Sequence, residues 1–163
     1  MVDALIETLA NLPPQLAVFI ISMVPIAELR VSIPVALGVY KLPIWEAVLF
    51  SVLGDILIAL LIIRYIGPLS QWLRQKSKFF KKLFDWWFSR AIKRMDNKLD
   101  VWGPLALMLF VGVPLPVTGA WTGATASWLF KIPRKIAAVF ISAGVLMAAF
   151  IVTLISLGVF SFF

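Results

Sequence analysis

Apolar residues run along this chain in six stretches, and polar or helix-breaking residues cut them at unequal lengths. Residues 44–63 and 136–157 each hold about 20 to 22 residues, or ~30–33 Å as helix, enough to cross a hydrocarbon core of ~30 Å. They predict transmembrane helices over 43–66 and 134–158. Gln15 to Ala27 spans only ~20 Å as helix and ends at Pro25, just before the charged Glu28 and Arg30. It is too short to cross alone. Val31 to Val39, with Pro34 inside it, follows at once, so residues 15–40 predict a hairpin that dips into the membrane and returns to the same side. In the second half Leu105 to Val113 descends, Pro114, Pro116 and Gly119 break the helix, and Trp121 to Phe130 returns, giving a second hairpin over 104–130. Kinked ordinary spans are the alternative reading of these breakers, and the short lengths argue against it.

The two halves are copies of one pattern. Leu16, Ala17, Val24 and Pro25 align with Leu105, Ala106, Val113 and Pro114, and after a one-residue drift Lys41, Pro43 and Gly54 align with Lys131, Pro133 and Gly144. Each copy, 13–67 and 102–158, is one hairpin plus one spanning helix. The crossings are odd in number, so a surface-lying connection places the second copy upside down. An all-α integral membrane protein built as an inverted repeat is therefore expected, a design common among secondary transporters. Broken backbone at membrane depth must be buried in protein or line water, so both hairpin tips should meet inside the molecule.

The connection, residues 68–101, is of another kind. Between Ser70 and Asp100 it holds nine Lys or Arg, and it puts Phe80, Leu83, Phe84, Trp87, Ala91, Ile92 and Met95 on one helical stripe. Lys78, Lys82, Asp85, Ser89 and Lys93 fall opposite, the pattern of a helix lying in the membrane surface. Positive-inside topology accounts for this bias better than a nucleic-acid partner, and it places the linker in the cytoplasm with both termini outside the cell membrane. Val2, Leu5, Ile6, Leu9 and Leu12 suggest a short interfacial helix. Asp3 and Glu7 ahead of any cation are unlike a signal peptide, so this segment is expected to stay in the mature chain.

Composition narrows the class further. Sixty-two per cent of residues are apolar, against about 45–50% in ordinary soluble domains. Cysteine and histidine are both absent, which removes disulfides, thiolate metal sites and the commonest proton shuttle. No cofactor, no metal and no enzymatic activity are expected. At 163 residues the chain is too small to enclose a wide cavity alone, so a homodimer is expected.

Few ionisable residues fall inside the apolar stretches. Glu28 and Arg30 mark the first tip, Asp55 lies near the midplane of the first spanning helix, and Glu46 lies near that helix's outer end, within reach of head groups. A charge at membrane depth costs at least ~2.5–3.5 kcal/mol, so it usually faces a cavity or a partner. One reading is structural: Arg30 neutralises Asp55 or Glu28 and locks the hairpin to the helix. The functional reading gives Glu28 and Asp55 the exchange of protons and Arg30 the binding of an anionic group. Val145 stands where the second copy would carry Asp55. The second tip offers Thr118, Gly119, Trp121 and Thr122 beside Pro114 and Pro116, a candidate binding surface together with Arg30 and Pro34, although small residues also serve helix packing.

These residues resemble the small multi-drug export protein family, which is similar to the DedA (VTT) membrane proteins. The resemblance rests on Pro25, Glu28 and Gly38, on Leu53-Gly54-Asp55, on Arg64 and Gly67, and on the Pro114 to Trp121 run. It implies paired re-entrant hairpins, an inverted repeat and, from the DedA side, proton-linked movement of lipid phosphates, with Glu28 and Asp55 at the acidic coupling positions. Two arginines that DedA relatives carry in the second hairpin are missing here, where Val111, Gly112, Val113, Pro114 and Val117 stand.

The function expected is a proton-coupled carrier or flippase of an amphipathic or lipid-phosphate substrate, with membrane lipids and protons as its other partners. Export of lipophilic cations, with Trp121 stacking on them, is the rival within transport. A membrane-shaping scaffold is the alternative outside it. Leu-Gly-Asp also occurs in intramembrane aspartyl proteases, but these need a second aspartate sharing the site, and no other lies in a span.

Overall fold

The computed structural model describes Leu9 and residues 12–76, 99–115 and 118–161. Among them the chain is all-helical: α1 Pro14–Ser22, α2 Glu28–Gly38, α3 Ile44–Lys76, α4 Leu99–Gly112, α5 Ala120–Leu129 and α6 Arg134–Ser161. The six apolar stretches and the six helices correspond one to one. Within α3 and α6 the apolar segments Ile44–Ser70 and Arg134–Val159 are long enough to cross a membrane.

Local chemistry sets the boundaries. Pro14 opens α1 at a position whose N–H would have no partner in any case. The break at 23–27 holds Pro25, and α2 begins at Glu28 with a left-handed backbone, φ 45°. Helix α3 runs on to Lys76, past the expected end at 66: Gly67 and Pro68 fall inside it, and beyond them Leu69 and Gln71 to Lys76 are mostly good helix formers. Pro68 withdraws the amide that would meet the Arg64 carbonyl, and the Ser70 hydroxyl donates to the Gly67 carbonyl at 2.7 Å. The amphipathic stripe Phe80 to Met95, Pro116 and most of the N-terminal interfacial segment lie outside the described residues.

Packing inverts the pattern of a soluble protein. Large apolar side chains such as Leu53, Leu57, Val139, Leu146 and Phe150 are exposed along α3 and α6, while Ser22, Ser32, Ser51, Asp55 and many alanines are buried. Lipid tails are as apolar as leucine, so helices associate in a membrane through close approach of small residues rather than through leucine burial. Glycines show this directly. A Cβ on Gly54 would strike the Phe19 carbonyl and Ser22 of α1, and one on Gly144 would meet the Met108 carbonyl and Val111 of α4. Phe19 and Ser22 are the residues that the sequence alignment pairs with Met108 and Val111.

The turns before the long helices also agree. Lys41 and Lys131 both take left-handed φ, 50° and 55°. Behind them the Leu42 amide donates to the Ala36 carbonyl, six residues back, and the Ile132 amide to that of Ser127, five residues back, each at 2.9 Å, so the two turns share the lysine's backbone shape and differ by one residue in length. The Pro43 and Pro133 carbonyls then accept the first bonds of α3 and α6, from Ala47 at 3.0 Å and Ala137 at 2.9 Å. In tertiary contacts α1 packs on α2 and α3, and α4 on α5 and α6. The halves also interlock, α2 touching α6 and α5 touching α3. Their common core joins Ile33, Val52, Val111, Ala124, Ile141 and Val145.

Candidate functional site

The interlocking brings the start of α2 against the start of α5. Glu28 Oε1 accepts the Trp121 backbone N–H at 3.2 Å, and the Trp121 indole donates to the Met23 carbonyl at 3.0 Å. A carboxylate at a helix N-terminus meets unpaired amides and the positive end of the helix dipole, so Glu28 holds the two broken segments together. Gly119 makes this approach possible, since a Cβ there would land on the Glu28 carboxylate. The left-handed φ of Glu28 is a strained backbone for a non-glycine residue, and such strain gathers at functional sites.

Arg30 lies two residues beyond, partly exposed. Its Nη2 donates to Thr118 Oγ1 at 3.3 Å and stands 4.0 Å from Glu28 Oε2. Thr118 is itself fixed: its hydroxyl lies 2.9 Å from the Val113 carbonyl and 2.8 Å from that of Leu115, and it accepts the Leu115 amide at 3.1 Å. A neutral loop thus orients the guanidinium, and the Glu28 carboxylate beside it offsets part of its charge.

In front of these groups is an open groove of about 820 Å3, lined by Glu28, Arg30, Pro114, Thr118, Trp121 and Thr122 among others. Six of the ten residues singled out in the sequence therefore share one surface. Pro34 does not line it; inside α2 it withdraws the helical donor from the Arg30 carbonyl, and so acts on the site through the backbone. Thr125, Ala126 and Leu129 extend the wall, and with Thr122 they recur at the spacing of one helix face, a signal that sequence inspection centred on the tip passes over.

Behind the groove Asp55 is 2% exposed. Its Oδ1 has no hydrogen-bond partner among protein atoms, while the Leu29 backbone N–H at the start of α2 is directed to the carboxylate. A void of about 10 Å3, room for about one water molecule, lies between Asp55, Glu28, Arg30 and Gly119. Gly119 lines this void but not the larger groove. One turn along α3 from Asp55 the Ser51 hydroxyl accepts from Ser32 at 2.8 Å, a buried pair that no sequence pattern announces. Glu46 stands apart, accepting from Gln15 Nε2 at 2.8 Å. Among the described residues there is no cluster of His, Cys, Asp or Glu able to hold a metal ion.

Two apolar helices long enough to cross a membrane, with large leucines exposed along them, define a membrane protein. The chain belongs to the family described as Putative small multi-drug export protein, whose model matches residues 28–151. The matched span begins at Glu28 and takes in every residue of the site described above except those of α1 and the turn after it. No curated protein and no solved structure matches the chain.

Proposed function

We propose that this protein is a proton-coupled secondary carrier or flippase of an amphipathic substrate, not an enzyme, working in the cell membrane. The observation that carries the reading is the pairing of an open groove holding Glu28, Arg30 and Trp121 with a buried, half-satisfied Asp55 one small void behind it. Glu28 and Asp55 exchange the proton. Arg30 holds the anionic group of the substrate, and Trp121 and the α5 threonines hold its body. In this reading α1–α2 and α4–α5 are re-entrant hairpins that enter from opposite leaflets, the halves form an inverted repeat, and rocking of one half against the other exposes the groove alternately. The basic linker lies in the cytoplasm, both termini lie outside, and two copies associate. A lipid phosphate is the substrate suggested by the resemblance to DedA proteins.

Export of a lipophilic cation is the second reading, favoured by one observation: Arg30 is already engaged by Thr118 and Glu28, which leaves the Trp121 ring and a carboxylate to face the groove. Proteoliposomes with an imposed proton gradient separate the two. Under the first reading Arg30→Gln stops uptake of a short-chain lipid phosphate; under the second it spares transport of an organic cation. Glu28→Gln and Asp55→Asn should stop both. Undiminished gradient-driven transport by the doubly amidated protein would sink the coupling role of Glu28 and Asp55, and absence of any gradient-driven transport by the wild-type protein would leave the scaffold.

A further inference from the structure

A second opening lies on the neighbouring face of α5 and is not used by the proposed transport route. It is a groove of about 580 Å3 between α4, α5 and the start of α6. Pro104, Lys131 and Ile136 line the end nearest the turn between α5 and α6, and Leu107, Phe110 and Ala126 line it farther along α4 and α5. From Pro104 to Phe110 the wall descends ~9 Å along α4. Ala126 borders both this groove and the one holding Glu28 and Arg30, so the two stand back to back across a single helix.

Among the described residues the matching surface of the first half is closed: Val18 and Ile21 occupy the positions of Leu107 and Phe110 and are at most 1% exposed, whereas Phe110 is 42% exposed. Charge differs in step with shape. Lys131 is followed by Arg134 and Lys135 in the first turn of α6, all exposed, while the matching positions in the first half are Lys41, Ile44 and Trp45. An anion there also meets the unpaired amides at the start of α6. A cleft long enough for part of a hydrocarbon chain, with Lys131 in its wall and two more exposed cations in the next turn, matches one end of one kind of molecule.

We infer that this groove is a binding site for an anionic phospholipid, one acyl chain lodged against Leu107 and Phe110 and the phosphate held by Lys131, with Arg134 and Lys135 adding positive charge from the first turn of α6. Two further things follow. The site is separate from Glu28 and Asp55, so it persists when they are neutralised. It also belongs to the second half alone.

Native mass spectrometry of detergent-purified protein exchanged with phosphatidylglycerol or phosphatidylcholine tests this. The full chain should retain phosphatidylglycerol in preference, and Lys131→Gln, Arg134→Gln and Lys135→Gln together should weaken that retention on the order of 10–100-fold, from the pull of three surface cations. Ala106→Trp fills the groove and leaves every cation in place; it should release the lipid as fully, and Ala106→Leu, the milder change, should release it in part. Glu28→Gln with Asp55→Asn should retain lipid at the wild-type level, so failure of the carrier reading leaves this inference standing. Retention unchanged in the triple variant, or unchanged in both Ala106 variants, overturns the site. Displacement of the lipid by glycerol phosphate at equal concentration overturns the acyl-chain part, for the cations would then bind any phosphate.

Discussion

The two halves of this protein share their scaffolding and differ in their chemistry. Gly54 and Gly144 make the same close approach to the preceding short helix, and Lys41 and Lys131 take the same left-handed backbone before the long one. At the positions between them the halves diverge in one direction. Ser22, Ser51 and Asp55, all buried, are matched by Val111, Ile141 and Val145, also buried. Valine and aspartate are close in volume, so one packing arrangement accepts either residue, and shape gives no reason for a carboxylate at 55. What packing repeats, folding needs; what only one half carries, and carries at a cost, is left for function to explain.

The sharpest way to break this comparison is to exchange its most unequal pair. Asp55→Val gives the first half the residue of the second. It removes a carboxylate whose Oδ1 is unpartnered and leaves the Leu29 amide without its acceptor, so the two terms offset and stability should stay within about 1–2 kcal/mol of wild type. Transport in proteoliposomes should fall to background. The reverse change, Val145→Asp, buries another carboxylate on the small void that Asp55 and Glu28 already line and should cost at least about 3 kcal/mol in steric-trap unfolding. Equal losses of stability in both variants would mean that Asp55 is a structural residue.

The next test acts on what the halves share. Ala at either 54 or 144 drives a methyl group into a backbone carbonyl, Phe19 or Met108, that cannot swing aside. Each substitution should destabilise by about 1–3 kcal/mol, the usual cost of overpacking, and the two values should agree. A loss at one site with none at the other would show that the halves do not depend on the same contact.

Much of this was legible in the sequence because membranes make length and breakers informative. Two runs of sufficient length gave the long helices, and the short runs ended by Pro25 and Pro114 gave the paired short ones. Glu28, Arg30, Thr118 and Trp121 could be singled out because charge, hydroxyl and indole are conspicuous among apolar neighbours. Their actual bonding was not legible. That Glu28 binds the Trp121 amide, and that Gly119 exists to admit its carboxylate, depends on how α2 and α5 cross, which no local pattern encodes. Ser32 and Ser51 escaped notice for a related reason: each is an ordinary small residue in a membrane helix, and only packing makes them a pair. The expected end of α3 at 66 is too early because Gly67 and Pro68 are absorbed within the helix instead of ending it.

A smaller effect probes the seam between the halves. Trp121→Phe keeps the ring in the groove but removes the indole donor, leaving the Met23 carbonyl short of one bond. About 1 kcal/mol of stability should be lost, and cation stacking, if that is the substrate, should weaken only slightly. Trp121→Leu removes the aromatic face as well. A larger drop in transport for leucine than for phenylalanine, at matched stability, assigns the ring to substrate; equal drops assign the residue to the seam alone.

The smallest effect concerns the buried hydroxyl pair. Ser32 and Ser51 join α2 to α3 within the first half, and the positions matching them carry Thr122 and Ile141, which cannot form the same bond. Interhelical hydrogen bonds in membranes couple by about 0.6 kcal/mol on average, because the separated helices find other partners. A double-mutant cycle with Ser32→Ala and Ser51→Ala should return a coupling of about that size. Transport should report more than stability does, since Ser51 lies one turn from Asp55 on the same face of α3. If the coupling is present and transport by Ser51→Ala is unchanged, the pair is packing that happens to be polar. If transport slows while the parallel loss in unfolding energy stays near that figure, the polar interior of the first half extends Asp55's chemistry along the helix, which is what separates it from its apolar twin.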